Sequence, residues 1–113
     1  MSNEQPALIK FGRRGDALIV RVQTTSLMGD DARGVSDVVM DEALKPDAGI
    51  AVVALDLSRV TMLNSVAIGA LVSLQITIDR HGKSFVLSGV AQPIKELFDA
   101  TKLSDVFTYR DDV

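Results

Sequence analysis

Val53-Ala54-Leu55-Asp56-Leu57-Ser58-Arg59-Val60-Thr61-Met62-Leu63-Asn64-Ser65-Val66-Ala67-Ile68-Gly69-Ala70-Leu71 is the stretch whose reading decides the fold. It opens in an unbroken apolar run over residues 50–55, the pattern of a strand covered on both sides or central in a sheet. Asp56 closes that strand, residues 58–63 form a short loop, and helical spacing begins at Asn64-Ser65. A serine hydroxyl therefore stands at the amino end of a helix, where backbone N–H groups lack partners and the helix dipole favours negative charge. Such a place holds a phosphate without harm to the fold. Serine and asparagine are also preferred helix caps, and by residue type alone capping is the commoner role. The two roles coexist if Asn64 caps and Ser65 occupies the first turn.

The helix runs to about Arg80, with Gly82 placed for a left-handed C-terminal cap. Ile68, Leu71, Leu74, Gln75 and Ile78 share one face, with Ala67 beside it, and this face packs on the sheet. The opposite face carries Val66, Gly69, Ser73, Ile76 and Arg80, small and unpolar for a solvated surface. A mid-helix glycine costs about 1 kcal/mol relative to alanine. Either the helix is sandwiched inside the domain, with its own chain close to Gly69, or the face is a docking surface with Ser65 at its rim.

Outward from this centre, apolar residues over 7–11 lead to Gly12-Arg13-Arg14-Gly15. Leu18, Val20 and Val22 then alternate within 16–23, so the two segments read as an antiparallel hairpin turning over 12–15. Residues 24–31 read as loop. A helix follows, capped near Gly29-Asp30-Asp31, reaching about Leu44 and burying Val35, Val38, Val39 and Ala43, with Lys45-Pro46-Asp47 ending it. A strand over 84–87, a helix with Pro93 in its first turn and Ile94, Leu97 and Phe98 inward, and a short strand over 106–109 complete the chain. Strands alternating with helices imply parallel pairing through right-handed crossovers. The expected fold class is α/β, one domain over residues 7–113 behind a loose segment 1–6. Its sheet is mixed, four- to five-stranded, packed with helices and led by the hairpin.

Composition narrows the chemistry. The chain has 113 residues, 47% of them hydrophobic, enough for one real core. There is no cysteine and a single histidine, His81, which removes thiol catalysis and multi-histidine metal sites within one chain. Acidic residues show no ligand-loop spacing, so no metal and no cofactor are expected. Net charge is −3 with no basic cluster or aromatic ladder, which argues against nucleic acid. Residues 1–6 show no signal pattern and no apolar run is long enough to span a bilayer. The expectation is a soluble, cytoplasmic protein without membrane insertion.

Catalytic constellations fare poorly. Ser65 and His81 are separated by ~20 Å or more along the helix axis, and Asp79 shares no helical face with Ser65, so no triad forms within one chain. His81 reads as a favourable last-turn residue. Arg13-Arg14 lacks the longer glycine loop and lysine of a nucleotide cradle and reads as a solvated turn. Asp56 lies where ligands sit in open α/β sheets, but the simpler role is a hydrogen bond to the 58–63 loop. The expected catalytic set is empty.

The strand, Asp56-Leu57-Ser58, the short loop and Asn64-Ser65-Val66-Ala67-Ile68-Gly69 resemble the STAS domain, the family of bacterial anti-sigma factor antagonists. Gly82-Lys83 and Val86-Leu87-Ser88-Gly89-Val90 resemble its later strand and turn, and the likeness spans residues 18–109. Asn64 stands where the family usually has aspartate, and Val66-Ala67 where it has Ser/Thr-Gly. The resemblance implies that Ser65 is a phosphoacceptor, phosphorylated by a GHKL-type anti-sigma kinase and restored by a PP2C-type phosphatase. It places Asn64, Val66, Gly69, Ser73 and Ile76 in the partner-binding surface, with Asp56 and Ser58 structural beside it. The function implied is a non-enzymatic partner switch in transcription regulation. A non-phosphorylated scaffold of the same fold, in a stressosome-like assembly or as a lipid-transport accessory subunit, is the alternative. A small enzyme or ligand-binding domain has least support, and the apolar helix face would also suit a homodimer.

Overall fold

The computed structural model describes residues 8–46 and 48–110. The expected loose segment 1–6, Ala7 and Asp47 lie outside the described residues. The elements run β1 (Ile9–Arg14), β2 (Ala17–Val22), β3 (Ser26–Leu27), α1 (Gly29–Ala43), β4 (Val52–Asp56), β5 (Met62–Leu63), α2 (Ser65–Arg80), β6 (Ser84–Ser88), α3 (Gln92–Ala100) and β7 (Thr108–Tyr109). A five-stranded sheet has the order β1-β2-β4-β6-β7, antiparallel at β1–β2 and parallel throughout the rest. The mixed sheet with its leading hairpin is the architecture expected from the sequence.

Strands β2, β4, β6 and β7 are added in one direction along the sheet, so right-handed crossovers carry all three helices to one face. The core agrees. Leu18, Val20, Val22, Val53, Leu55, Phe85 and Leu87 share one pleat parity and pack with Val35 and Val39 of α1, Leu71, Leu74 and Ile78 of α2, and Ile94 and Phe98 of α3. The alternate positions, Ala17, Val52, Ala54 and Val86, stand outside that cluster. The molecule is thus a two-layer slab, 23 Å across its shortest axis.

Four local expectations need correction. Strand β1 continues through Arg13 and Arg14, and the reversal falls at Gly15-Asp16, with Gly15 at φ +60. Arg13 is not simply solvated. Its guanidinium donates to the Ala48 carbonyl at 2.7 Å and the Gly15 carbonyl at 3.2 Å. Val38 is 46% exposed rather than buried, because it lies one turn-step off the Val35–Val39–Ala43 stripe. The 24–31 loop contains β3, which pairs in parallel with β5 through Ser26↔Met62 and Leu27↔Leu63. That pair is two residues long on each side, too short for a period-two signal.

Candidate functional site at the start of the second long helix

The paired loops define the site. Thr61 donates its backbone N–H to the Thr25 carbonyl at 2.8 Å, in line with the β3–β5 pair. The two loops leaving the carboxyl ends of β2 and β4 are thereby held side by side, and α1 and α2 start next to each other. Asn64 locks the arrangement. Its Oδ1 accepts from Ala67 N at 2.9 Å, the N-terminal cap of α2, and from Gly29 N at 3.3 Å, the first residue of α1. One side-chain oxygen serves two helix starts.

Because Asn64 does the capping, Ser65 is left over. It is the first helical residue, exposed, and its hydroxyl makes no hydrogen bond among the described residues. The Ser65 and Val66 backbone N–H groups also lack acceptors among the described residues, whereas Ala67 and Ile68 donate to the side chain and carbonyl of Asn64. The first turn of α2 carries no acidic residue, unlike that of α1, which carries Asp30 and Asp31. The positive end of the α2 dipole is therefore uncompensated within its own helix.

The face running from Ser65 is open. Val66 is 37% exposed and Ile76 48%, and Gly69 and Ser73 are exposed. A methyl group built on Gly69 meets nothing within 4 Å. The reading of α2 as sandwiched inside the domain, with the chain's own loop close to Gly69, is therefore overturned. The buried side of α2 is Ala67, Leu71, Leu74, Gln75 and Ile78, with Ile68 half-buried. Arg33, Ser36, Asp37 and Met40 of α1 face Val66, Gly69 and Ser73 across a groove of about 530 Å3.

The α1 wall of the groove and Met62, 52% exposed beside Asn64, were not foreseen from the sequence. Part of the α1 wall had a signal: Arg33 and Asp37 fall off the buried stripe of their helix. Asp56 and Ser58 come together as expected, with Ser58 N donating to Asp56 Oδ1 at 2.9 Å. Arg21 Nε approaches Asp56 Oδ2 at 3.7 Å. Gly89 closes this corner at φ +64, where an added Cβ would stand 2.8 Å from Ser58 Cβ and 3.0 Å from Asp56 Oδ1. His81 is distant in role: its Nδ1 lies 2.9 Å from the Thr77 carbonyl at the other end of α2. Among the described residues no cluster of three or more histidine or acidic side chains is placed to hold a metal ion. No helix among them is long and apolar enough to cross a membrane.

Comparison with solved structures gives the same fold. TM1081 of Thermotoga maritima, for which an anti-sigma factor antagonist role has been suggested, matches with TM-score 0.77 at 21% identity, over 93% of this chain and 87% of that one. The anti-sigma factor antagonist SpoIIAA of Bacillus is known unphosphorylated and phosphorylated. Its unphosphorylated form matches with TM-score 0.68 at 8% identity, over 93% of this chain and 89% of that one. A sulfate transporter family protein from Wolinella succinogenes matches with TM-score 0.69 at 16% identity, over 86% and 79%. No curated protein sequence gives a significant match. The STAS domain model matches residues 9–113, and the chain belongs to the STAS domain family.

Proposed function

We propose that this STAS domain acts as an anti-sigma factor antagonist: a non-catalytic module that binds a GHKL-type kinase and anti-sigma factor through the exposed face of α2 and is switched at Ser65. The observation that carries the reading is the division of labour at the helix start. Asn64 holds the cap, so Ser65 offers a free hydroxyl at an uncompensated helix amino end, on the rim of an exposed face of small and apolar residues. The likeness to SpoIIAA, solved in both phosphorylation states, supports it.

In the proposed cycle the Ser65 oxygen attacks the γ-phosphorus of ATP held by the kinase. Its proton is lost and ADP leaves. A PP2C-type phosphatase reverses the step by hydrolysing the phosphoester with water. The added group carries about −1.5 to −2 charges at pH 7. It sits within reach of the free Ser65 and Val66 N–H groups, so the fold tolerates it. The same charge and bulk beside Val66 and Gly69 would have to be desolvated on docking, so binding is lost while the fold stays. The cytoplasm is the compartment this role requires.

The test is phosphate transfer from ATP by a purified GHKL-type partner. Incorporation should vanish in Ser65→Ala, and Ser65→Asp should bind that partner at least ~10-fold more weakly, about 1.4 kcal/mol. Labelling that persists in Ser65→Ala, or unchanged binding by Ser65→Asp, overturns the reading. A domain that is never phosphorylated and purifies in a constitutive assembly belongs to the scaffold alternative.

A further inference from the structure

Charge is divided unevenly over the slab. Residues 8–23, which contain the hairpin, carry Lys10, Arg13, Arg14 and Arg21 against Asp16 alone, a net of +3 in a chain of net −3. Helix α1 carries Asp30, Asp31, Asp37, Asp41 and Glu42 against Arg33, a net of −4. Arg13 is bonded to backbone carbonyls and Arg21 approaches Asp56, but one cation pair is poorly placed for stability. Lys10 and Arg21 are directly opposed across β1–β2, a like-charge pairing that works against the sheet.

Lys10, Arg14 and Arg21 share the pleat parity that faces away from the helices, and all are exposed. Depressions of about 350 and 280 Å3 meet at Lys10 and Arg21. On this face the smaller is floored by Gly12 and Ile19, directly opposed across the hairpin, between Lys10 and Arg14. On α1, Asp30, Asp37 and Asp41 recur at seven- and four-residue spacing along one exposed face, with the exposed Val38 beside Asp37. One surface is an apolar dip between cations. The other is an apolar knob between carboxylates.

We propose that α1 of one copy docks on the outer face of the β1–β2 hairpin of a second copy, with Val38 over the Gly12–Ile19 depression and Asp37 and Asp41 against Lys10 and Arg14. The two surfaces lie on opposite layers of the slab, so one pair of molecules cannot exchange the contact reciprocally. The contact is heterologous and leaves an unused hairpin at one end and an unused α1 at the other, and so builds open chains. Exposed ion pairs are individually weak. Association is therefore expected at high protein concentration and low ionic strength, fading as the screening length falls from about 30 Å at 0.01 M salt to about 10 Å at 0.1 M.

The experiment is sedimentation velocity of the purified domain over a concentration series at both salt levels. Wild type should grow in mass with concentration at low salt and shrink toward monomer at high salt. Lys10→Glu/Arg14→Glu and Asp37→Lys/Asp41→Lys should each stay monomeric. Lys10→Glu places a carboxylate opposite Arg21, so the first variant keeps its fold, checked by its melting curve. Mixing the two variants should restore growth at low salt, because unlike variants meet with opposite charges at both contacts, the unaltered α1 on the unaltered hairpin and the reversed α1 on the reversed hairpin. A monomeric wild type at low salt, single variants that still associate, or a mixture that stays monomeric would overturn the proposal. So would a low-salt assembly that forms only with added anionic lipid vesicles, since the hairpin's occupant would then be a membrane surface.

Discussion

Two glycines show opposite physics. Gly69 sits in helical conformation on the open face of α2 with free space where a side chain would go. Gly69→Ala should raise the stability of the isolated domain by up to about 1 kcal/mol. It should also weaken the proposed partner, since a methyl group is placed on the docking face. Gly89 is fixed by need: φ +64 and a Cβ clash at 2.8 Å with Ser58. Gly89→Ala should lose about 1–3 kcal/mol in denaturant unfolding and disturb the Asp56–Ser58 turn. At this scale the sequence was informative where residue type and structural role coincide, as in the Asn64 cap and the first-turn place of Ser65. It was ambiguous at Gly69, because a glycine looks the same whether it makes room for its own chain or for another.

Among the elements, the helix ends give a sharp comparison. Helix α2 closes with Gly82 at φ +73, Gly82 N to Asp79 O at 3.0 Å and Lys83 N to Ile78 O at 3.2 Å. Helix α3 closes with the same pair of bonds, Lys102 N to Asp99 O at 3.1 Å and Leu103 N to Phe98 O at 2.7 Å. There Lys102 holds the left-handed position at φ 62. A side chain in that conformation costs about 1 kcal/mol or more. Lys102→Gly should therefore raise the unfolding midpoint, whereas Gly82→Lys should lower it. The cap at Gly82 could be read from the sequence because glycine announces it, whereas Lys102 gives no such sign. The β3–β5 pair escaped for a related reason, since two-residue strands carry no periodicity.

The last strand offers a pH readout. Tyr109 is half-buried beside Lys95, whose Nζ lies 5.9 Å from the ring centroid. Burial, with Asp99 adding to it, raises its hydroxyl above the ordinary 10.0. The folded state thus holds this proton more tightly than the unfolded chain. The stability it contributes is complete below pH ~10 and disappears as pH climbs through the raised value. Tyr109 is the single tyrosine and there is no tryptophan. Its phenolate absorbance should appear at higher pH in the folded protein than in urea.

For the whole molecule, the alternation of strands and helices was enough to predict a mixed sheet with parallel crossovers. One core cluster then joins all three helices to one side of that sheet. Layer assignment escaped the sequence, since an apolar run such as 50–55 fits a strand covered on one face or on two. With a single core the domain should unfold in one transition. Ser65→Asp should keep that transition and gain about 0.3–1 kcal/mol from the α2 dipole, measured by urea denaturation. Loss of cooperativity would mean that a charge at this point damages the fold, and a switch acting on docking alone would be ruled out.

The oxygen of Asn64 that bonds Ala67 and Gly29 joins segments 35 residues apart in the chain. The geometry around Ser65 is consequently a property of the assembled domain and is absent from any short piece of it. A synthetic peptide covering the loop and first turns of α2 would be too short to hold a helix in water and would present its serine on a disordered backbone. An enzyme that reads the native arrangement should ignore such a peptide, and newly made chains would escape modification until folding is complete.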